Sequence, residues 1–366
     1  MSASAAPKVL HFVTGGFSGA TQVAVDLCLA HQASERFAPL LVLRRKRSTE
    51  AARVQALRGL GLDVQLVPGW PHAATVAALA RICRRWRPDI LAAHGYGEHL
   101  LGRWAGWMAG VPHLIHIEHN TRERYTRWSL AQSRWLARRS AAIVGVSEGV
   151  RHSLLGQGLP PGKIRAIPNG IDTAVWQAAP PPLAQRSGDI AMVARFARQK
   201  DHASLLHALA LLRQRGVTPR LQLVGGGKQR WQAKARTLCA QLGLDAQVQF
   251  LGVCDNVPAL LRNTRVCVLS THYEGMPLAL LEGMAAACAI VGSRVPGVQE
   301  IIEHDTNGLL AAPREPQALA DALHTALQAN AHTQDMADAA RAQVLARYSR
   351  RRMVADYEAL FQSFLG

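Results

Sequence analysis

The chain is poor in acid. Its 366 residues hold 25 Asp and Glu against 42 Lys and Arg, leaving a net charge of +17. No apolar run approaches the ~18 residues that a spanning helix needs, so none is expected. The start, "MSASAAPKVLHFVTGG", passes from a short polar tail into a strand pattern. It lacks the basic region and long apolar stretch of a signal peptide, so no leader is read there. The six cysteines (Cys28, Cys83, Cys239, Cys254, Cys267, Cys288) are scattered, with no C-x-x-C pair. That excludes a disulfide framework and points to reduced, buried thiols in the cytosol. A P-loop lysine with Ser or Thr is missing, as are the G-x-G-x-x-G dinucleotide fingerprint and an Asp-x-Asp cation pair. There is no fixed-period repeat and no low-complexity tract. A composition of 49% hydrophobic and 18% charged residues excludes disorder and collagen.

What is present is a repeated strand–helix pattern. "KVLHFV", "APLLVL", "DVQLVP", "DILAAHG", "HLIHIEH" and "AAIVGVS" are expected strands, with amphipathic helices among them and a basic helix over about 122–139. That alternation argues a parallel sheet with helices on both faces. Pro180, Pro181 and Pro182 fit neither helix nor inner strand, so the domain boundary is placed there. The pattern then restarts with "DIAMVA", "RLQLVGGG", "VQFLG", "VCVLS" and "AIVGS". The expected fold is α/β, with two Rossmann-like βαβ domains over 1–179 and 180–348 and a cleft between them. Residues 349–366 form a last helix. Charge is uneven: residues 1–180 hold 22 basic and 10 acidic side chains (+12), and residues 181–366 hold 20 and 15 (+5). The first half therefore suits nucleic acid, an anionic membrane surface or an acidic substrate. No groove-reading helix, aromatic stacking motif or zinc module is visible, which disfavours nucleic acid.

The stretch "HYEGMPLALLEGM" places Glu274 and Glu282 eight positions apart, with Gly275 and Pro277 between. Proline is tolerated at a helix start and nearly nowhere later. A helix beginning near Pro277 leaves Glu274 in the preceding loop and Glu282 in the second turn. Free N–H groups between them make an anion site with a polar contact on each side. Two solvated glutamates on an amphipathic helix fit the segment as well. Arg195 and Lys200, in "VARFARQKDH", follow a strand and suit a diphosphate. Gly225 to Gly227 and the loop "TGGFSGA", with Gly15, Gly16 and Gly19, allow close backbone approach. His94, His113, His116 and His119 cluster after first-domain strands, but alternation sends them to opposite faces. A polar role for His119 at a strand end is preferred over metal. Arg81, Arg84 and Arg85 beside Trp86, and Trp128 and Trp135 amid arginines, suit an anionic bilayer.

Taken in order, "TGGFSGA", "IEHN", "IPNGID", "VARFARQKDH", "LVGGG", "EGMPLALLEGM", "GVQEII" and "NGLL" resemble the retaining nucleotide-sugar glycosyltransferases of the GT-B fold, family four (glycosyltransferase group 1). The resemblance runs through most of the chain and is weakest over 40–110. It implies that Glu274, with Gly275 and Met276, holds the transferred sugar, and that Glu282 takes the ribose. Arg195 and Lys200 would neutralise the diphosphate. Gly16 would lie near phosphate and acceptor, and His119 near the sugar. Gly225, Pro277 and Leu278 complete the donor-binding set. It further implies a hexosyl- or N-acetylhexosaminyltransferase using a nucleotide-sugar, most simply UDP-linked, with no metal and no other cofactor. The acceptor would be a glycan or lipid-linked saccharide of the bacterial envelope, such as lipopolysaccharide. The setting would be cytoplasmic, with the inner membrane face as an anionic partner. The last helix would cross back to the first domain. A nucleotide-sugar epimerase of the same fold is the alternative. Ala287 and Ala289 stand where the family has Gly and Pro, and Pro296 where a second glycine is common. These departures bear on the shape of the donor loop, not on its charges.

Overall fold

The computed structural model describes residues 6–123 and 125–366. The tail 1–5 and Arg124, which falls in the expected basic helix, lie outside the described residues. The chain divides into two compact units, residues 1–169 with 351–366, and residues 170–350.

The first unit runs β1 (Lys8–Thr14), α1 (Gly19–Ser34), β2 (Ala38–Arg44), α2 (Ala51–Gly59), β3 (Val64–Val67), α3 (His72–Trp86), β4 (Ile90–His94), α4 (Glu98–Met108), β5 (His113–Glu118), α5 (Arg127–Arg139), β6 (Ala142–Gly145), α6 (Glu148–Gly156) and β7 (Ile164–Ala166). Its sheet has the order β3-β2-β1-β4-β5-β6-β7, and every pairing is parallel. β4 is buried along its whole length, as a parallel strand covered on both faces must be. The basic helix starts at Arg127, not near 122. Thr126 caps it, accepting from Ser129 N at 3.1 Å while Ser129 Oγ bonds back to Thr126 N at 2.8 Å. That capping box fixes the start.

The second unit runs β8 (Gly188–Val193), α7 (His202–Gln214), β9 (Leu221–Val224), α8 (Gln229–Gln241), β10 (Val248–Gly252), α9 (Val257–Arg262), β11 (Thr264–Leu269), α10 (Leu278–Ala285), β12 (Ala289–Ser293), α11 (Pro296–Gln299), β13 (Leu309–Ala311), α12 (Pro316–Leu327) and α13 (Ala331–Arg347). The sheet order is β10-β9-β8-β11-β12-β13, again parallel. The segment before β8 belongs to this unit, because Trp176 and Leu183 are buried in it and Arg341 donates to Trp176 O at 2.6 Å. The division therefore falls ten residues before the prolines. α14 (Arg350–Gln362) follows, and from residue 351 it groups with the first unit. Its Phe361 meets Phe37 edge-on at 5.9 Å and lies 6.2 Å from His11.

Ala287, just past α10, sits at φ +48°. There a Cβ costs about 1–2 kcal/mol, more than the roughly 0.5–1 kcal/mol entropic cost of glycine. Ala287→Gly should therefore raise stability by about 0.5–1 kcal/mol. Urea denaturation measures it, and an unchanged or lower midpoint contradicts the strain argument.

Candidate active site

In each sheet the strand order reverses once, between β1 and β4 and between β8 and β11. Open parallel sheets bind ligands outside the carboxyl ends of their strands at such points. In the second unit, the loops after β8 and β11 are laced together there. His272 N donates to Gln199 O at 2.9 Å, and Gln199 Nε2 donates to Tyr273 O at 2.6 Å. Thr271 N donates to Ser293 Oγ at 2.9 Å, anchoring the loop to the end of β12. The result is that Lys200 Nζ lies 2.5 Å from Glu274 Oε1, which also accepts from Thr271 Oγ1 at 2.8 Å. Glu274 is only 6% exposed. A carboxylate so buried needs such polar partners. Lys200 and Glu274, drawn from loops 74 residues apart, thus form one unit.

Arg195 lies in the same β8 loop, exposed to solvent. The glycine run fixes that loop. Phe196 N donates to Gly226 O at 2.7 Å and Lys228 N to Phe196 O at 3.2 Å. A Cβ on Gly225 would fall 2.3 Å from Ala194 O, and one on Gly227 2.6 Å from Phe196 N. Backbone on backbone is what these glycines permit.

Pro277 caps α10, and Leu278 is its first residue. Leu280 and Leu281 N–H bond back to Pro277 O, so the earlier amides of the helix face outward from its ladder. Met276 is buried. Glu282 lies in the second turn, half-buried. Burial chiefly, with Cys288 and Glu282 nearby, pushes the Cys267 thiol up. A Cβ on Gly297 would fall 2.0 Å from Gly275 O, so α11 rests on the Glu274–Gly275 backbone. Pro296 opens α11, where no N–H is needed, and the replaced glycine costs nothing there.

In the first unit, the loop after β1 is tied down by Gly15 N donating to Arg44 O at 2.8 Å and Thr49 Oγ1 to Gly15 O at 2.9 Å. Gly16 N donates to Thr14 Oγ1 at 3.3 Å. After β5, Glu118 Oε1 accepts from His119 N at 2.8 Å and Asn120 N at 3.4 Å, shaping the turn that carries His119. His119 Nε2 is 3.3 Å from His94 Nδ1, and His94 Nε2 is 3.1 Å from His11 Nδ1. Desolvation lowers His119 to about 3, and burial also holds His94 and His11 well below the usual imidazole range. His119 is therefore a neutral hydrogen-bonding group at pH 7.

The four expected histidines do not converge. His94 and His119 touch, His113 stacks on Phe364, and His116 stacks on His99 at 3.8 Å between ring centres. His99, His116 and Glu118 bring their ligand atoms close enough to hold a metal. Their partners argue otherwise. Buried Arg103 Nη2 lies 2.7 Å from His99 Nδ1, and Tyr125 Oη lies 2.7 Å from His99 Nε2. Both ring nitrogens are engaged, and a fixed guanidinium would oppose a cation. Sequence reasoning overlooked Arg103, His99, Glu118 and His11. The available signal was an arginine inside the apolar "HLLGRWAGW" and a histidine inside the buried strand "KVLHFV".

The aromatic surface also differs from expectation. Trp86 packs against the apolar core of the first unit, with Lys8 5.6 Å over its ring. Trp135 instead stacks on Trp104 at 4.9 Å and meets Trp107 at 5.1 Å, with Arg139 3.5 Å over its ring. Trp107 and Met108 are exposed, as is Trp128. Among the described residues, no helix is long and apolar enough to cross a membrane.

Residues 17–175 match the family model Glycosyltransferase Family 4, and residues 178–343 match Glycosyl transferases group 1. Glycogen synthase of Mycobacterium tuberculosis (strain ATCC 25618 / H37Rv) is 31% identical over 75% of this chain and 66% of that enzyme. The putative colanic acid biosynthesis glycosyltransferase WcaL of Escherichia coli (strain K12) is 27% identical over 68% of this chain and 63% of its own length. The match thus spans slightly under two thirds of these relatives. Among solved structures, Anabaena HepE in complex with UDP-glucose superposes with a TM-score of 0.85 at 20% identity, covering 97% of this chain and 99% of that one. That likeness, with two parallel sheets of seven and six strands, shows the two-domain α/β GT-B fold. Matched over both halves, the chain belongs to the group 1, family 4 glycosyltransferases.

Proposed function

We propose that the protein is a retaining, metal-independent glycosyltransferase that moves a hexosyl or N-acetylhexosaminyl unit from a UDP-sugar to a glycan or lipid-linked acceptor. The observation that carries the reading is the Lys200–Glu274–Thr271 cluster at the carboxyl edge of the second sheet. Glu274 holds the sugar, Glu282 the ribose, and the outward amides of α10 face the diphosphate. Arg195 and Lys200 stabilise the charge that develops as the nucleoside diphosphate leaves, and preorganised charge of this kind is often the largest catalytic contribution. His119, neutral, hydrogen-bonds the transferred sugar. The acceptor attacks from the face that UDP vacates, and a donor phosphate oxygen takes its proton.

UDP in the HepE complexes supports a uridine donor. The colanic acid relative supports a role in bacterial envelope polysaccharide or lipopolysaccharide assembly. The test incubates the protein with single UDP-sugars and measures UDP release without acceptor. Release is expected to survive excess chelator. Activity abolished by chelator and restored by magnesium or manganese would mean that a cation, not Arg195 and Lys200, neutralises the leaving diphosphate.

The Trp104–Trp107–Trp135 cluster, with exposed Met108 and Arg139, supports peripheral contact with an anionic bilayer through the first unit. Sedimentation with anionic vesicles should be strong at low salt and weaken as salt rises. Trp107→Ala should reduce it several-fold. Equal sedimentation with neutral and anionic vesicles would count against this contact.

A further inference from the structure

We infer that the carboxyl ends of β1, β2 and β3 form a binding site for a sugar that carries an anionic group, phosphate or carboxylate. The inference rests on the glycosyltransferase reading in one respect: it makes this sugar the acceptor. Its evidence is separate, and all of it lies in the first unit.

The first observation is a charge imbalance. Glu98, at the start of α4, is 4% exposed. Its Oε1 lies 3.3 Å from Arg44 Nη1 and 3.1 Å from Lys46 Nζ. Two cations thus share one carboxylate, with the Arg44 side chain 11% exposed and that of Lys46 34% exposed. Arg44 Nε is buried with no hydrogen-bond partner among the described residues. Exposed Arg45 and Arg47 add positive charge beside them. Partly desolvated excess charge of this kind is stabilised when a counter-charge completes it. An anion meets that need, and an arginine fork with a lysine point charge suits phosphate or carboxylate oxygens.

The second observation is an aromatic face beside the cations. A Cβ on Gly69 would fall 1.9 Å from Arg45 O, so the loop after β3 lies directly on the chain that carries them. The next residue, Trp70, is 77% exposed and stands edge-on to His72 at 5.1 Å. Desolvation first, then the charges of Arg44 and Lys46, lower the proton affinity of His72, which places it within their field. An exposed indole offers a broad apolar face and a polar tip, as the two faces of a sugar require. The third observation is position. A Cβ on Gly16 would lie 3.8 Å from Ser48 Oγ and 4.0 Å from Lys46 Cγ, so the loop after β1 borders the same site.

The test is a ligand-observed NMR titration of the full chain with saturating UDP. The probes are glucose 6-phosphate, glucuronate, methyl α-glucoside and inorganic phosphate. Glucose 6-phosphate should bind at least about tenfold tighter than methyl α-glucoside at low salt, the range of one or two charge-assisted hydrogen bonds. Lys46→Gln should remove most of that gap, as should Arg44→Gln. Trp70→Ala should weaken both sugars by the same factor. Arg44 is mostly buried, so Lys46→Gln carries the test if Arg44→Gln fails to fold. A glucuronate affinity matching glucose 6-phosphate assigns a carboxylate as a second cognate group, and a weaker one assigns phosphate. Equal affinity for charged and neutral sugars overturns the inference, as does a gap that survives Lys46→Gln. Inorganic phosphate binding as tightly as glucose 6-phosphate overturns the sugar site. UDP is titrated alone as well. Failure to bind UDP with the gap intact would remove the glycosyltransferase reading and keep this site. UDP binding without the gap would do the reverse.

Discussion

Acidification from pH 7 to pH 5 should destabilise the first unit far more than the second, where burial lowers His202 to about 4. Six imidazoles of the first unit, His11, His31, His94, His99, His116 and His119, are pushed down, chiefly by desolvation. His31 falls to about 4 and His119 to about 3. The unfolded chain binds protons at these histidines near pH 6.5 and the folded unit does not. Their contribution is therefore complete above about pH 6.5 and is lost as pH falls toward 4. At pH 5 His31 and His119 each cost about 2 kcal/mol by staying neutral, and the other four act in the same direction. Two carboxyls act in the opposite sense. Burial, with Glu123 nearby, raises Glu118, and burial raises Glu123 to about 7. Their folded forms bind protons more tightly, which returns roughly a few kcal/mol on acidification. Six imidazoles act against two carboxyls, so acid destabilises the first unit, and a typical domain has only ~5–15 kcal/mol to lose. Calorimetry at pH 7, 6 and 5 should show one transition moving to low temperature. His31 has neither ring nitrogen hydrogen-bonded among the described residues, so His31→Phe should recover about 2 kcal/mol at pH 5. Two transitions that shift together by only a few degrees would contradict the account.

That behaviour illustrates what the sequence conceals. Strand identity was legible because parallel strands leave continuous apolar runs, as in "DILAAHG" and "AAIVGVS". The helix start at Pro277 was legible because proline has one favoured place in a helix. α4 was not anticipated. Its Gly97 start gives no side-chain cap, and its "HLLGRWAGW" reads as neither clean period. The ten-residue difference in the domain division has a physical cause: prolines report backbone geometry, whereas Trp176 and Leu183 decide by burial where the linker packs.

Site residues divide in the same way. The motifs located the loops that carry Arg195, Lys200 and Glu274. They did not show that Lys200 meets Glu274, because two loops 74 residues apart are brought together by the parallel pairing of β8 with β11 and by loop-to-loop hydrogen bonds, both of them tertiary. The glycine run was legible only as a place of close backbone approach. In the structure, Gly225 and Gly227 lie against the Ala194–Phe196 backbone, which no periodicity reveals. The histidine clusters are likewise tertiary. His11 and His94 are 83 residues apart in sequence and 3.1 Å apart in space.

Lys200→Ala should lower turnover by roughly 10²–10³, the usual cost of removing one preorganised charge donor. It should also destabilise the second unit by about 3–5 kcal/mol, because buried Glu274 loses its ammonium partner. The two effects can be separated. Lys200→Met with Glu274→Gln removes both charges and keeps the volumes, so stability should return most of the way while turnover stays low. A pair that merely clasps the two loops predicts the opposite: recovered stability would bring recovered turnover. Arg195 is the complementary case. It is exposed, so Arg195→Ala should lose roughly 10²–10³ in turnover at little cost in stability. Lys200→Arg should rescue only in part, since a planar fork does not replace a point charge seated 2.5 Å from a carboxylate oxygen. Glu274→Gln should act on turnover and Glu282→Gln on the Michaelis constant, because only the first contact strengthens as the sugar gains charge. Losses at Lys200 and Arg195 need not add, as both act on one diphosphate. If Lys200→Met turns over within a few-fold of the wild type while melting early, Lys200 is a loop clasp, and the leaving-group charge must be met elsewhere.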